Sequence, residues 1–192
     1  MSETSLAPSL LVAMPQLIDP NFHRTVVLIV HNDDSGSFGV VLNRATDLNT
    51  SDLLESLSID WRGDGDAPID WGGPVQPQTG WILFDPTDGR AEGDEVPLGE
   101  DVQMAGNDIC FTGTLDILRD LAAEPPDRLR VLLGYAGWGP GQLETELTEG
   151  AWLVAPVSAD VVFEVDGDAM WELVIRRMGI EPAMLAPTRG VH

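Results

Sequence analysis

The sequence predicts a mixed α/β (α+β) fold, with helices packed on a mixed β-sheet. Three observations predict it. Two runs, Thr25–Val30 and Leu129–Tyr135, are nearly continuous stretches of aliphatic residues, the pattern of strands buried on both faces. Two other segments, around 115–122 and 168–178, repeat apolar residues at helical spacing instead. Strands and helices also intermix without strict βαβ alternation, which favours a mixed sheet.

Taken in order, residues 1–9 are small and polar and read as a loose arm. Leu10–Ala13 reads as a strand closed by Met14-Pro15, and Asp19-Pro20-Asn21-Phe22 is turn chemistry. The buried strand Thr25–Val30 is followed by a second short one, Phe38–Leu42, and Asp34-Ser35-Gly36 gives a hairpin-like connection between them. Asp52 is placed to cap a short helix carrying Leu53, Leu54 and Leu57. A Gly- and Asp-rich loop spans 62–67, Trp71-Gly72-Gly73-Pro74-Val75 interrupts regular structure, and Trp81–Phe84 resumes as a strand.

The acidic stretch 85–101 reads as solvated loop before a strand at Val102–Ala105. Thr112 or Thr114 caps a helix carrying Leu115, Leu118, Leu121 and Ala122, which Glu124-Pro125-Pro126 ends. Leu129–Tyr135 then runs into a glycine-rich turn, where Gly139 as N-cap and Pro140 at the first helical position begin a helix with Leu143 and Leu147. Trp152–Pro156 is another strand. The last helix, about Asp168–Met178, puts Trp171, Val174, Ile175 and Met178 on one stripe, with Glu172 and Arg176 paired outside and Gly179 at the C′ position. A chain of 192 residues with this organisation suits one domain, residues 1–192.

Composition excludes several function classes. There are 32 acidic residues against 10 basic ones, a net charge of -22, and every basic residue is Arg. The absence of Lys reads first as genomic composition or salt adaptation. Duplex DNA must be met by Lys and Arg that displace its counterions. Here the closest basic pairs are Arg128 with Arg130 and Arg176 with Arg177, in a chain whose long-range field repels polyanions. Direct nucleic-acid binding is not expected, nor is attachment to an anionic membrane. A single cysteine, Cys110, implies no disulfide, the N-terminus lacks a signal-peptide pattern, and no apolar run approaches the ~20 residues of a membrane span, so the expected compartment is the cytoplasm.

The most site-like element is the strand, glycine loop and helix of residues 129–149. Its glycines let backbone approach a ligand, and Tyr135, Trp138 and Gln142 are candidate contacts. Trp138, an aromatic among glycines, is the expected anchor for a partner or flat ligand, although packing over the glycines is the plainer role. No Lys completes a phosphate loop, and Glu144 and Glu146 oppose a bound phosphate. A second, looser set is Arg24, His31, Asn43 and Glu144, of which the first three lie on or at the ends of two adjacent predicted strands and can converge at one rim. His near a carboxylate can serve as a general base, but no nucleophile stands in a recognisable context. His23, His31 and His192 have no partner at ligand spacing, and His31-Asn32-Asp33-Asp34 lacks the EF-hand pattern, so no metal and no cofactor is expected.

Four blocks carry a family resemblance. LLVAMPQLIDPNF (10–22) leads into TVVLIVHN (25–32), and there follow GSFGVVLNR (36–44), WGGPVQPQTGWILF (71–84) and GYAGWGPGQLETEL (134–147). Their order and spacing resemble the AlgH/YqgE family of bacterial proteins, over about Leu10 to Leu185. The resemblance implies a bifurcated sheet curled into a pseudo-barrel and flanked by helices, and implies little about activity. Some members carry a label of transcriptional regulator, yet no helix-turn-helix, zinc finger or basic arm is visible in this chain. His23 and the acidic insertion at 88–101 depart from the family pattern without touching the four blocks.

Two readings of function stand open. One is a non-enzymatic binding or regulatory protein acting through an unknown protein or small-molecule partner, its oligomeric state undetermined. The alternative is an enzyme of unknown class, for instance a hydrolase, using His31 with Arg24, Asn43 and Glu144. On charge alone, filter binding at physiological salt is expected to retain no duplex DNA above background, and sequence-specific retention would reverse that exclusion.

Overall fold

The computed structural model describes residues 5–17, 19–88 and 99–185. The start of the expected N-terminal arm, most of the acidic insertion and His192 lie outside those residues. Three antiparallel strands form first: β1 (Ser9–Ala13), β2 (Val26–Asp33) and β3 (Gly36–Val41), with Leu10 opposite Leu28 and Val27 opposite Val41. Residues 26–30 of β2 are all buried, as their aliphatic run predicts. Successive side chains enter two different cores. Leu10, Val12, Leu28 and Val40 face one, and Leu11, Ala13, Val27 and Val41 face the other. The β2–β3 turn is fixed by Asp33, whose Oδ1 accepts the Ser35 amide at 2.8 Å.

The chain continues through β4 (Ala45–Asn49), α1 (Thr50–Ser56), β5 (Pro68–Trp71) and β6 (Val75–Phe84). β7 (Val102–Met104), β8 (Cys110–Thr112), α2 (Leu115–Ala123) and β9 (Leu129–Trp138) follow. The remainder is α3 (Gln142–Thr148), β10 (Trp152–Ala155), α4 (Ala159–Glu164), α5 (Gly167–Arg177) and a 3₁₀ turn at Pro182–Leu185. The strand order is β10-β1-β2-β3-β9-β6-β8-β7, with β5 also on β9 and β4 on β5.

β9 is where the sheet divides. Along one edge it pairs with β6 from Leu129 to Leu133, and Val75 lies opposite Tyr135. Its other edge serves two strands in turn. Leu132 and Leu133 pair with Asp70 and Trp71 of β5, in parallel, and Ala136–Trp138 pair with Ser37–Gly39 of β3, antiparallel. Gly72 fills the gap between them: its N–H donates to Leu133 O and its carbonyl accepts from Val41 N–H, both at 2.7 Å. The backbones here are too close for side chains. A Cβ on Gly72 would overlap the Gly134 carbonyl, and one on Gly134 would overlap that of Gly73. Gly134 also has φ +81, which disfavours any residue with a Cβ. The result is the forked, curled mixed sheet flanked by helices that the family resemblance implies.

Helices close the cores. α4 and α5 cover the first with Val161, Val162, Met170, Trp171, Val174 and Ile175, and the buried Trp171 indole donates to Ala13 O at 2.8 Å. α3 covers the second with Leu143. A third core, with Leu54, Phe84, Leu118 and Leu121, lies under α1 and α2. Several boundaries differ from expectation. The cap of α1 is Asn49, whose Oδ1 accepts Asp52 N–H at 2.8 Å, so Asp52 sits inside the first turn. The cap position of α3 is Gly141 in the left-handed region, not Gly139, because β9 runs three residues past Tyr135 to Trp138. β4, β5, β8 and α4 have no counterpart in the sequence reading.

The fork makes a stability contrast measurable by urea unfolding. Gly134→Ala is expected to cost at least about 3 kcal/mol, from positive φ plus backbone overlap. Gly141→Ala, with φ +72 but no atom within 4 Å of the added Cβ, should cost about 1 kcal/mol.

Candidate functional site

The glycine-rich corner after β9 is built around a carboxylate. Trp138 ends β9 and Trp152 begins β10; both are buried, and both indole N–H groups donate to Glu146 Oε2 at 2.9 Å. Gln142 Nε2 donates to the other oxygen, Oε1, at 3.1 Å, while Gln142 Oε1 accepts the Gly139 N–H at 3.0 Å. Phe22 packs on both indoles, with ring centroids at 6.3 and 5.7 Å. Trp138 is therefore core, and its expected role as an exposed anchor is corrected: at 7% exposure it has no face for a partner. Tyr135 lies three residues earlier on the same strand, so it points to the opposite face. There it joins Phe38, Trp81 and Phe111, with its ring 4.7 Å from that of Phe38. The two aromatics of the block do not share a surface. Glu144 accepts from Asn32 Nδ2 at 3.1 Å.

The second predicted set is divided between the two ends of β2. At one end Asn43 closes the backbone: its Oδ1 accepts Val26 N–H at 2.9 Å and its Nδ2 donates to Arg24 O at 2.8 Å. The Arg24 guanidinium lies over the Trp171 ring, 4.8 Å from the centroid. His31 stands five residues along β2, about 17 Å away at strand rise. The expected convergence at one rim does not occur. Antiparallel pairing brings Asn43 to the start of β2 and leaves His31 near its end.

His31 Nε2 instead meets Asp33 Oδ2 at 2.7 Å, both side chains being about half exposed. Asp33 has its pKa lowered to about 2, first by the Ser35 hydroxyl, then by the Ser35 amide and His31. The Ser35 hydroxyl donates to Asp33 rather than to an imidazole, so it is not arranged as an activated nucleophile. Cys110 is fully buried, and burial, with Asp85 and Asp108 nearby, pushes its thiol up to about 11.

A concave site lies elsewhere. A cleft of about 320 Å³ opens between the 61–68 loop, the start of β9 and α4. Its floor is an ion pair, Arg130 Nε to Asp70 Oδ2 at 2.9 Å, with both side chains under 15% exposed. Arg130 Nη1 also donates to Val162 O at 2.9 Å, and Nη2 to Leu42 O. One guanidinium thus ties β9 to β5, to α4 and to the end of β3, which compensates the desolvation of the charge. Trp61, Pro125, Pro126 and Phe163 line the walls, and the exposed Asp64 and Asp127 stand among them. The Trp61 indole donates to Asp64 O at 3.1 Å. Sequence reasoning missed this site. Its signal was Arg130 inside the apolar run LRVLLGY, since a charge in a buried strand requires a partner. Among the described lining residues are carboxylates, a guanidinium and one threonine, whose hydroxyl is held by Ala67 O, which suits recognition better than attack.

The Glu146 node yields a stability test. Glu146→Ala strands two buried indole N–H groups and is expected to cost about 2–4 kcal/mol in urea unfolding. Glu146→Gln keeps an acceptor and should cost about half as much.

With this geometry in view, the chain can be set beside known proteins. A family model described as AlgH-like matches residues 10–183. A UPF0301 protein of Myxococcus xanthus is 40% identical over 189 residues, spanning 98% of this chain and 99% of that one. Another, from Ruegeria pomeroyi, is 37% identical over 96% of this chain and 98% of its own length. The solution structure of the AlgH protein from Pseudomonas aeruginosa is similar with a TM-score of 0.70 and 32% identity, covering 100% of this chain and 98% of that one. A crystal structure from Corynebacterium diphtheriae, at 23% identity and TM-score 0.76 over 96% and 93% of the two chains, shares the fold. The family model and the matched relatives agree: this chain belongs to the AlgH-like family.

Proposed function

We propose that this protein is a cytoplasmic, non-enzymatic binding protein that acts by holding a small ligand in the Arg130–Asp70 cleft, and that any regulatory effect passes through that ligand or a protein partner rather than through DNA. The observation that carries this reading is the cleft itself. Its volume lies at the lower end of the range of small-molecule sites, and its walls combine aromatic and proline surface with a few fixed polar groups. The floor is preorganised, because Arg130 is held at once by Asp70, by Val162 O and by Leu42 O on separate segments. Acidity supports the exclusion of polyanions, as does the absence of a basic stripe on the described strands and helices. No helix among the described residues is long and apolar enough to cross a membrane. The hydrolase reading loses support from the separation of His31 from Arg24 and Asn43.

The test is a thermal-shift screen of a metabolite library against the wild-type protein and Val165→Trp, which puts an indole into the cleft. At least one compound is expected to raise the wild-type melting temperature by a few degrees at concentrations well above its Kd, and to lose that effect in the variant. A compound that stabilises both proteins equally, or a library without effect on either, overturns the reading.

A further inference from the structure

We propose that the cleft selects small organic ammonium ions, an inference that rests on the binding reading above and adds the ligand's chemistry. The charge of the lining favours a cation. The lining holds one cation, Arg130, and three carboxylates, Asp64, Asp70 and Asp127. Arg130 is already matched by Asp70 at 2.9 Å, so an anionic ligand meets no uncompensated positive charge on the floor. Asp64 and Asp127 are exposed and face no arginine within ion-pair distance among the described residues. The nearby guanidiniums are engaged: Arg62 with Asp60 at 3.1 Å, and Arg128 with Asp85 and Glu164 at 3.2 and 2.8 Å. A cation entering the cleft therefore meets two carboxylates that no arginine neutralises, although Asp64 Oδ1 also accepts the Asp66 amide at 2.9 Å, and a net charge of -22 draws cations to the protein.

The walls favour an organic one. Trp61 and Phe163 supply aromatic surface, and Pro125, Pro126 and Val165 supply aliphatic surface. Such walls favour a cation that carries alkyl groups, which is weakly hydrated and attracted to aromatic faces. They disfavour a bare divalent metal. Mg²⁺ and Ca²⁺ need six or more oxygen ligands, and no three acidic, His or Cys side chains among the described residues stand close enough to hold one. The carboxylates fix the charge and the walls fix the organic character. Trp61 links them, since its indole N–H is tied to the carbonyl of Asp64.

The experiment uses the full chain labelled with ¹⁵N and titrates choline chloride, 1,5-diaminopentane, magnesium chloride and sodium glutarate at matched ionic strength. Choline or diaminopentane is expected to move the Trp61 indole resonance and the Asp64 and Asp127 amides in a saturable way. The Asp64→Asn/Asp127→Asn double variant, altered only at exposed positions, should keep the wild-type melting temperature and weaken that binding about tenfold or more. Val165→Trp should abolish it. Equal binding of the ammonium ions by the double variant, or an equal response to Mg²⁺, would mean counterion condensation and overturn the proposal. Saturable binding of glutarate in the cleft, lost in Val165→Trp, would overturn the ammonium assignment while leaving the binding reading intact. If no probe moves these resonances, the ammonium proposal fails, and the library screen alone then decides whether the cleft binds anything.

Discussion

The architecture depends on one steric constraint: three glycines must pass each other where β9 divides the sheet. Gly72 and Gly73 cross against Gly134 and Tyr135 at distances that admit no Cβ. Because Gly72 is bonded to Leu133 on one side and Val41 on the other, the gap between β5 and β3 is closed without leaving an orphan backbone group. This lets one edge of β9 serve a parallel strand below the fork and an antiparallel strand above it. The curl of the sheet follows from that division, and so does the cleft. The parallel β5 sets Asp70 opposite Leu132, two residues along β9 from Arg130 and within its reach.

Legibility in the sequence tracks how local the stabilising interaction is. β2 and β9 announce themselves because both their faces enter cores, which makes residues 26–30 wholly aliphatic and leaves Arg130 as the one charge in β9. α5 is legible for the same reason, its stripe of Trp171, Val174 and Ile175 being a record of what it packs against. β4 is the opposite case. Ala45–Asn49 has no buried residue and exists because β5 pairs with it, and propensity does not register a partner about 20 residues away. β8 is buried but only three residues long, too short to establish a period. In the block GYAGW the sequence predicts strand only as far as Tyr135, whereas β9 continues through Ala136, Gly137 and Trp138. Gly134 answers to the neighbouring backbone of Gly73, a long-range contact that local sequence does not reveal.

The candidate site shows the same division more sharply. Residue type identified polar groups correctly but could not say which were already spoken for. Asn43 is consumed by two backbone bonds, Glu146 by two indoles and a Gln, and Asp33 by Ser35 and His31. A side chain whose hydrogen-bonding capacity is spent inside the protein has little left for a ligand. What remains is found by subtraction: Asp64, with one oxygen on the Asp66 amide, and Asp127 gain prominence because no arginine among the described residues pairs with either within a concave, aromatic-walled space. Neither residue belongs to a recognisable motif, so no pattern search would have selected them.

The exclusive use of arginine acquires a partial physical account from the same reasoning. A composition bias explains why Lys is absent everywhere, but not why particular arginines are difficult to replace. Arg44 donates to three carbonyls of one loop, of Pro20, Asn21 and His23, at 2.7 to 3.0 Å, and its guanidinium lies 5.5 Å from the Trp71 ring centroid. Arg130 spans a carboxylate and two carbonyls on different elements. Both tasks need a planar group with donors pointing in several fixed directions, which a single ammonium on a flexible stem does not provide. At these two positions arginine is required by geometry whatever the codon bias, and each sits where strands and loops from distant parts of the chain must be held together. Positive charge in this acidic protein is thus largely committed to its own carbonyls and carboxylates, and the charge left over for binding is negative.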